Sequence, residues 1–87
     1  MGNYRLLIKP SAVKELEALP SKKIRQRVVT RIRASAADPR PAGYEKLAGY
    51  DDRYRVRQGA YRVVYSVSDG ELVVWVVKVG HRKDVYR

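Results

Sequence analysis

The feature that most constrains the fold is strand-like alternation over the last third of the chain. Its clearest stretch, residues 53–57, reads Arg-Tyr-Arg-Val-Arg. Because successive side chains of a strand point to opposite faces, the arginines are expected on one face of a sheet and Tyr54 and Val56 on the other. The pattern therefore predicts a sheet with one apolar face that packs as core and one basic face that attracts phosphate.

Three strands are predicted in this part of the chain, at about residues 53–58, 60–68 and 71–79. Asp69-Gly70 is a strong hairpin signal, because a two-residue type I′ turn needs positive φ at both central positions. Gln58-Gly59 is a weaker signal of the same kind. Two hairpins in succession make an antiparallel meander.

The two predicted turns also set the register of the meander. Two-residue turns place Arg55 opposite Arg62 in the first hairpin. In the second hairpin they place Val64 opposite Trp75 and Arg62 opposite Val77. The apolar face then contains Tyr54, Val56, Tyr61, Val63, Tyr65, Val67, Leu72, Val74 and Val76, and the opposite face contains Arg55, Arg57, Arg62, Trp75 and Val77. A three-residue loop at residues 58–60 would instead separate Arg55 from Arg62.

The first half of the chain predicts one strand and two helices. Residues 4–9 read as a strand, Pro10-Ser11 opens a helix that Ser11 can cap, and Pro20-Ser21 separates it from a second helix. Apolar residues recur at helical spacing at Val13, Leu16 and Leu19, and then at Ile24, Val28, Ile32 and Ala36. The tight turn between the helices predicts an antiparallel hairpin.

This order of elements predicts an α+β fold. An N-terminal strand and an antiparallel two-helix hairpin precede the three-stranded antiparallel meander, and the first strand completes a four-stranded sheet. The pattern leaves open which edge of the meander this strand joins. Residues 44–52 are predicted to form a loop with Leu47 and Tyr50 as anchors.

Charge and composition indicate which classes of partner and which cellular compartment to expect. The chain has 87 residues, no cysteine, and 19 Lys and Arg against 9 Asp and Glu. One small domain, residues 1–87, is therefore expected. The formal charge of +10 predicts strong attraction to polyanions or acidic proteins. We expect a cytoplasmic protein without disulfides, secretory signal or membrane span.

Arginines that face each other on neighbouring strands need an explanation, because like charges in this position destabilise a sheet. A bound anion provides one, since guanidinium groups match pairs of phosphate oxygens. Trp75 adds a ring on which a base can stack, worth about 1–3 kcal/mol in single-strand binders. The alternative is that the arginines lie over the strands and shield them, and that Trp75 only covers apolar surface.

Few other residues carry chemistry. Histidine is the side chain that ordinarily exchanges protons near neutrality, and the chain has one, His81. The sequence contains no paired-carboxylate arrangement, no metal-ligand spacing, no Gly-rich phosphate loop and no Cys/His pair. No metal or cofactor is therefore expected.

Several phrases of the chain are similar to one known family. They are Ile8-Lys9-Pro10-Ser11-Ala12, Lys14-Glu15-Leu16, Leu19-Pro20, Lys46-Leu47-Ala48-Gly49-Tyr50, Tyr54-Arg55-Val56-Arg57, Tyr61-Arg62-Val63-Val64-Tyr65 and Val79-Gly80-His81-Arg82-Lys83-Asp84-Val85-Tyr86. The last two are the most specific. With these phrases the chain resembles the RelE/ParE superfamily of toxins from bacterial and archaeal toxin–antitoxin pairs, and specifically the RelE branch.

The resemblance implies a ribosome-dependent endoribonuclease that cuts mRNA in the decoding site, without metal, by attack of a ribose 2′-hydroxyl on the adjacent phosphate. It also implies a RelB-like antitoxin that covers the toxin with an acidic or amphipathic helix, in an assembly such as a heterotetramer. Two alternatives stay open: a ParE-like inhibitor of DNA gyrase, and a non-catalytic module that binds RNA or the ribosome.

The resemblance also implies roles for single residues. Arg62 resembles the family's transition-state arginine, Arg82 its tail arginine near the leaving oxygen, and Tyr86 its terminal tyrosine that positions the RNA. Arg55 and Arg57 stand where well-known members have lysines. Because an arginine does not readily lose its proton, the base is left to His81 or to the RNA's surroundings in the ribosome. The candidates for RNA binding are Arg53, Arg55, Arg57, Trp75 and Lys83.

Overall fold

The computed structural model describes residues 4–81. In chain order the elements are β1 (Arg5–Ile8), α1 (Pro10–Glu17), α2 (Lys22–Ala37), β2 (Glu45–Lys46), β3 (Arg53–Gln58), β4 (Tyr61–Ser68) and β5 (Val73–His81). The predicted α+β order of strand, two helices and antiparallel meander is confirmed. The sheet has five strands instead of four, because a short strand forms in the segment predicted as a loop.

The first residues of both helices are suited to a helix N-terminus. Pro10 is at the start of α1, where its missing N–H has no intrahelical partner to lose. Lys9 is the N-cap of α1 and makes no side-chain cap bond, so the expectation that Ser11 caps this helix is wrong. At α2 the Ser21 hydroxyl accepts a hydrogen bond from the Ile24 N–H at 3.1 Å.

The sheet order is β1-β5-β4-β3-β2. The meander pairs are antiparallel, whereas β1 pairs parallel with β5. The helical hairpin and the first meander strands separate β1 from β5 in sequence, which provides the long connection that parallel neighbours require. The edge that the sequence left open is therefore the β5 edge. No helix within residues 4–81 is long and apolar enough to span a membrane.

The short strand β2 extends the other edge of the sheet. Glu45 lies opposite Arg55, Lys46 lies opposite Tyr54, and the Leu47 N–H donates to the Arg53 carbonyl at 2.9 Å. Leu47 is partly buried, but Tyr50 is 49% exposed, so the prediction that Tyr50 anchors a loop in the core is wrong.

The helices cover one face of the sheet, and the core lies between the two layers. Its buried members are Ala12, Val28, Ile32, Tyr54, Val56, Val63, Tyr65, Val67, Val74, Val76 and Val79. The predicted apolar face is confirmed for the strands, because the side-chain period of two survives any even shift of register. Leu72 is the exception: it is 45% exposed and has a φ of 56°, in a loop between β4 and β5.

A polar network ties the loop after α2 to the β4–β5 loop. The guanidinium of Arg40 donates to both Asp69 carboxylate oxygens, at 3.2 and 2.8 Å, and to the Tyr54 hydroxyl. Tyr4 donates to the same carboxylate at 2.5 Å. The bonds from Arg40 and Tyr4 hold the pKa of Asp69 below its ordinary value. Burial raises the pKa of Tyr65 to about 12.

Candidate anion-binding site

The hairpin between β3 and β4 brings two arginines face to face. Its two-residue turn is Gly59-Ala60, with Gly59 at a φ of 62°, so Arg57 lies opposite Arg62 and Arg55 lies opposite Val64. The predicted Arg55–Arg62 pair is wrong, because the turn is one residue later than the sequence indicated. This shift moves each partner by two positions and leaves the faces unchanged, so the arginine opposite Arg62 is Arg57 instead of Arg55.

The register of β4 and β5 also differs from the prediction. Residues 69–72 form the connection, so Ser66 lies opposite Trp75 instead of Val64. A β-bulge at Val77 then shifts the register once more and places Gly80 opposite Arg62. The expected two-residue type I′ turn does not form: neither Asp69 nor Gly70 has positive φ, and Leu72 has a φ of 56° instead.

Arg62 is the most unusual residue of the sheet face opposite the helices. It is only 5% exposed, and its Nη1 donates to the Tyr61 carbonyl at 3.3 Å. Its Nε is buried without an acceptor, and none of the ion pairs found within residues 4–81 includes it. A buried guanidinium without a carboxylate has unused donors that match an anion. Arg57, directly opposite, is exposed and adds a second positive charge.

Arg55 has a different environment from Arg62. Its Nη2 donates to Glu45 Oε2 at 2.7 Å, and its side chain is 10% exposed while that of Glu45 is 48% exposed. Because β2 was predicted as loop, the sequence did not reveal this carboxylate beside Arg55. Part of the Arg55 charge is thus balanced inside the protein, and its guanidinium is oriented by Glu45.

Glu15 of α1 supports the end of β5. Among residues 4–81, no strand lies beside the β1 edge of β5 beyond Val76, and the Glu15 carboxylate takes that place. It accepts the Val79 N–H at 2.9 Å and pairs with Lys78 Nζ at 3.2 Å. Glu15 therefore stabilises the strand segment that carries Gly80 past Arg62. No local signal in the sequence distinguishes Glu15 from Glu17 two residues later.

His81 is the last residue described, and it lies opposite Tyr61 with the two rings edge to face at 5.7 Å. Opposed residues leave a sheet on the same face, and neighbours along a strand leave on opposite faces. Since Arg62 follows Tyr61, the imidazole and the Arg62 guanidinium leave the sheet on opposite faces. Arg82, Lys83 and Tyr86 lie outside the described residues.

Trp75 belongs to the sheet face opposite the helices but not to the arginine pair. It is 43% exposed and lies opposite Ser66, four residues from Arg62 along β4. At a rise of about 3.3 Å per residue, this separation is about 13 Å. Arg53 faces Ser66 from the other side, with its guanidinium 4.5 Å from the centroid of the Tyr50 ring.

Surface grooves occur elsewhere on the molecule. One of about 680 Å³ runs along the outside of α2 and is lined by Lys22, Arg25, Gln26, Val29, Thr30 and Arg33. Within residues 4–81, no three His, Asp or Glu side chains come together in a way that could hold a metal ion. None of the grooves found among residues 4–81 is lined by Arg57 or Arg62.

The structure is a small, strongly basic two-layer α+β domain in which Arg57 and Arg62 face each other on the sheet face opposite the helices. Comparison with known proteins identifies the family. Residues 6–86 match the family of ParE toxins of type II toxin–antitoxin systems, parDE. A RelE-like toxin protein of Escherichia coli is 34% identical over 88 residues, which are 95% of this chain and 90% of that protein.

The chain is also similar to solved structures of RelE toxins. RelE in the archaeal RelE–RelB complex of Pyrococcus horikoshii is 33% identical with a TM-score of 0.81, covering 94% of this chain and 98% of that chain. The isolated E. coli RelE toxin is 32% identical with a TM-score of 0.78, covering 95% and 90%. The chain belongs to the RelE branch of the RelE/ParE superfamily and is a toxin of the type II toxin–antitoxin class, which confirms the resemblance noted in the sequence.

Proposed function

We propose that this toxin is a ribosome-dependent endoribonuclease that cuts mRNA in the decoding site and so inhibits translation in the cytoplasm. The observation that carries the proposal is Arg62, buried at 5% exposure with an Nε that has no acceptor and with Arg57 opposite. Burying such a group without a partner costs stability unless a ligand uses it. The phosphate of an RNA strand has the charge and the oxygen geometry that two guanidinium groups require.

The proposed reaction needs no group outside the RNA, water and the protein–ribosome complex: a base takes the 2′-hydroxyl proton, and the departing 5′-oxygen takes up a proton from the protonated base or from water. The ribose 2′-oxygen forms a bond to the adjacent phosphorus, and the bond from phosphorus to the 5′-oxygen breaks. The products are a 2′,3′-cyclic phosphate and a 5′-hydroxyl. Charge accumulates on the phosphorane oxygens during this step, and Arg62 and Arg57 stabilise it by charge-assisted hydrogen bonds.

Proton transfer falls to groups outside the arginine pair, because a guanidinium with a pKa above ~12 does not act as a base. We assign the departing oxygen to Arg82 and the positioning of the RNA to Tyr86, as in the family. His81 is the candidate base of the protein. Since it leaves the sheet on the face opposite to Arg62, the competing candidate is a group supplied by the ribosome.

RNA binding is assigned to the remaining basic and aromatic residues of this face and of the tail: Arg53, Arg55, Trp75 and Lys83. The antitoxin is the second partner. The similar structures from P. horikoshii and from the intact E. coli RelBE complex are toxin–antitoxin complexes. Because the toxin has a formal charge of +10, we propose that its antitoxin covers it with an acidic or amphipathic helix.

The test is addition of purified toxin to a translating extract, with mRNA 5′ ends mapped by primer extension. Codon-phased cuts are expected with the wild type and should disappear with Arg62→Ala and with Arg82→Ala. Arg33→Ala is the matched control, because it removes the same charge from an exposed position of α2. A His81→Asn variant that still cuts at the wild-type rate would assign the base to the ribosome.

The competing function is inhibition of DNA gyrase, which the match to the ParE toxin family favours. The same preparation can be added to a gyrase supercoiling assay. Intact mRNA together with blocked supercoiling would contradict the nuclease proposal and support the gyrase inhibitor. Intact mRNA and normal supercoiling would leave binding to RNA or to the ribosome as the function.

A further inference from the structure

A second feature of the sheet face opposite the helices lies about four residues along β4 from the arginine pair. In one row across three strands stand Trp75 of β5, Ser66 of β4 and Arg53 of β3. Directly opposed residues of a sheet leave it on the same face, so the three side chains point away from the helices. The middle side chain is the smallest of the three, so we expect a depression between the outer two.

The outer two side chains are suited to a flat ring. Trp75 is 43% exposed, and Leu7 of β1 lies next to it on the strand at the edge of the sheet. On the other side, the Tyr50 ring holds the Arg53 guanidinium at 4.5 Å from its centroid. Adjacent strands are about 4.8 Å apart, so the outer two backbones are about 10 Å apart. A planar ring with a van der Waals separation of about 3.5 Å fits beside the indole in that space.

We propose that Trp75, Ser66 and Arg53 form a nucleobase subsite for an unpaired base of a single RNA strand. The inference rests on the proposed function, because it is the phosphate at Arg57 and Arg62 that brings the strand to this face. Aromatic rings and guanidinium planes stack on bases of any sequence. An unpaired strand exposes its bases for such stacking, whereas a double helix does not.

The distance between Trp75 and Arg62 indicates that the stacked base belongs to a nucleotide that is not directly linked to the cleaved phosphate. Trp75 and Arg62 are separated by about 13 Å along β4, since Ser66 marks the row of Trp75. A base linked directly to the phosphate at Arg62 is too close to reach the indole. The subsite therefore holds the base of a neighbouring nucleotide. This contact fixes the direction in which the RNA strand crosses the arginine pair.

Fluorescence tests the subsite directly, because Trp75 is the only tryptophan of the chain. Short single-stranded oligo(A) RNA at low salt is expected to quench it. Polyglutamate, a polyanion without bases, is expected not to. Arg53→Ala should weaken the RNA titration about 5- to 100-fold, whereas the matched control Arg33→Ala should not. Equal quenching by polyglutamate, or no quenching by RNA, would overturn the subsite; the first result would assign the depression to an acidic protein partner.

A cleavage assay in the translating extract distinguishes failure of the subsite proposal from failure of the proposed nuclease function. Trp75→Phe keeps a stacking ring and should cut at nearly the wild-type concentration, while Trp75→Leu should need a toxin concentration that is higher by about 5- to 100-fold. Equal activity of the two variants, with a wild type that cuts, would refute the subsite and leave the nuclease intact. Quenching by RNA with a wild type that does not cut would refute the nuclease and leave the subsite intact.

Discussion

Replacing Arg62 by methionine is expected to make the toxin more stable and inactive at once. The buried Nε has no acceptor, and a buried unsatisfied donor costs about 1–3 kcal/mol. Repulsion from the opposed Arg57 adds about 0.2–1 kcal/mol. The bond from Arg62 to the Tyr61 carbonyl, which methionine cannot make, is worth about 1 kcal/mol in the other direction. The balance is a gain in the free energy of unfolding of about 1–2 kcal/mol, because methionine fills a similar volume with apolar atoms.

Urea denaturation followed by circular dichroism measures this gain. For a domain of this size the slope is about 1 kcal/mol/M, so the midpoint of Arg62→Met should rise by about 1–2 M at an unchanged slope. Arg33→Met, at an exposed position of α2, is the control and should move the midpoint little. A midpoint of Arg62→Met at or below that of the control would refute the reasoning, since it would mean that the guanidinium contributes net stability without a ligand.

Sulfate provides a second arm of the same experiment. An anion that binds only the folded state raises its stability by mass action. Sulfate should therefore raise the midpoint of the wild type and of Arg33→Met by more than that of Arg62→Met, after the general stabilisation by this salt, common to all three, is subtracted. An equal rise in all three proteins would contradict an anion site at Arg62.

Three further predictions concern the core and the loops that support the sheet. Tyr65→Phe removes the bond from a fully buried hydroxyl to the Pro39 carbonyl and should lower the free energy of unfolding by about 1–3 kcal/mol in urea titrations; an unchanged midpoint would show that the carbonyl finds another donor. Leu72→Gly relieves a φ of 56° at an exposed position and should raise the free energy of unfolding by about 1 kcal/mol, whereas Leu72→Ala should not. The bonds from Arg40 lower the pKa of Asp69 in the folded state, so the stability they provide is present above the ordinary carboxyl pKa of about 4 and is lost as the pH falls through the lowered value. Melting temperatures of Asp69→Asn should therefore depend less on pH between about pH 5 and pH 2 than those of the wild type; parallel profiles would contradict this.

Much of the fold could be predicted from local pattern. The stripe of Val28 and Ile32 on α2 and the alternation of Tyr54 and Val56 on β3 correctly indicate which sides are buried. These signals are local, because the periods of helix and strand follow from backbone geometry alone. The short strand β2 was missed because a pair of residues carries no measurable period, and with it the partner of Arg55 was missed.

Less of the candidate site could be predicted. That Arg57 and Arg62 share a face was visible in the sequence, but that they face each other was not, because the turn formed one residue later than the Gln58-Gly59 signal indicated. The carboxylate of Glu15 at the end of β5 depends on a helix and a strand that are far apart in the chain. No local pattern reports such a contact.

The sequence by itself determined which side of the sheet the side chains of β3 and β4 occupy, because that depends only on the alternation along each strand. On β5 the bulge at Val77 reverses the alternation, so Val76 and Val79 are both buried in the core. Only the tertiary structure decided which side chains are neighbours across strands. The turn at Gly59-Ala60 and the bulge at Val77 set the register, and register is a choice among pairings that all keep the apolar face buried. That choice buries Arg62 beside Arg57 and places Trp75 opposite Ser66, four residues further along β4.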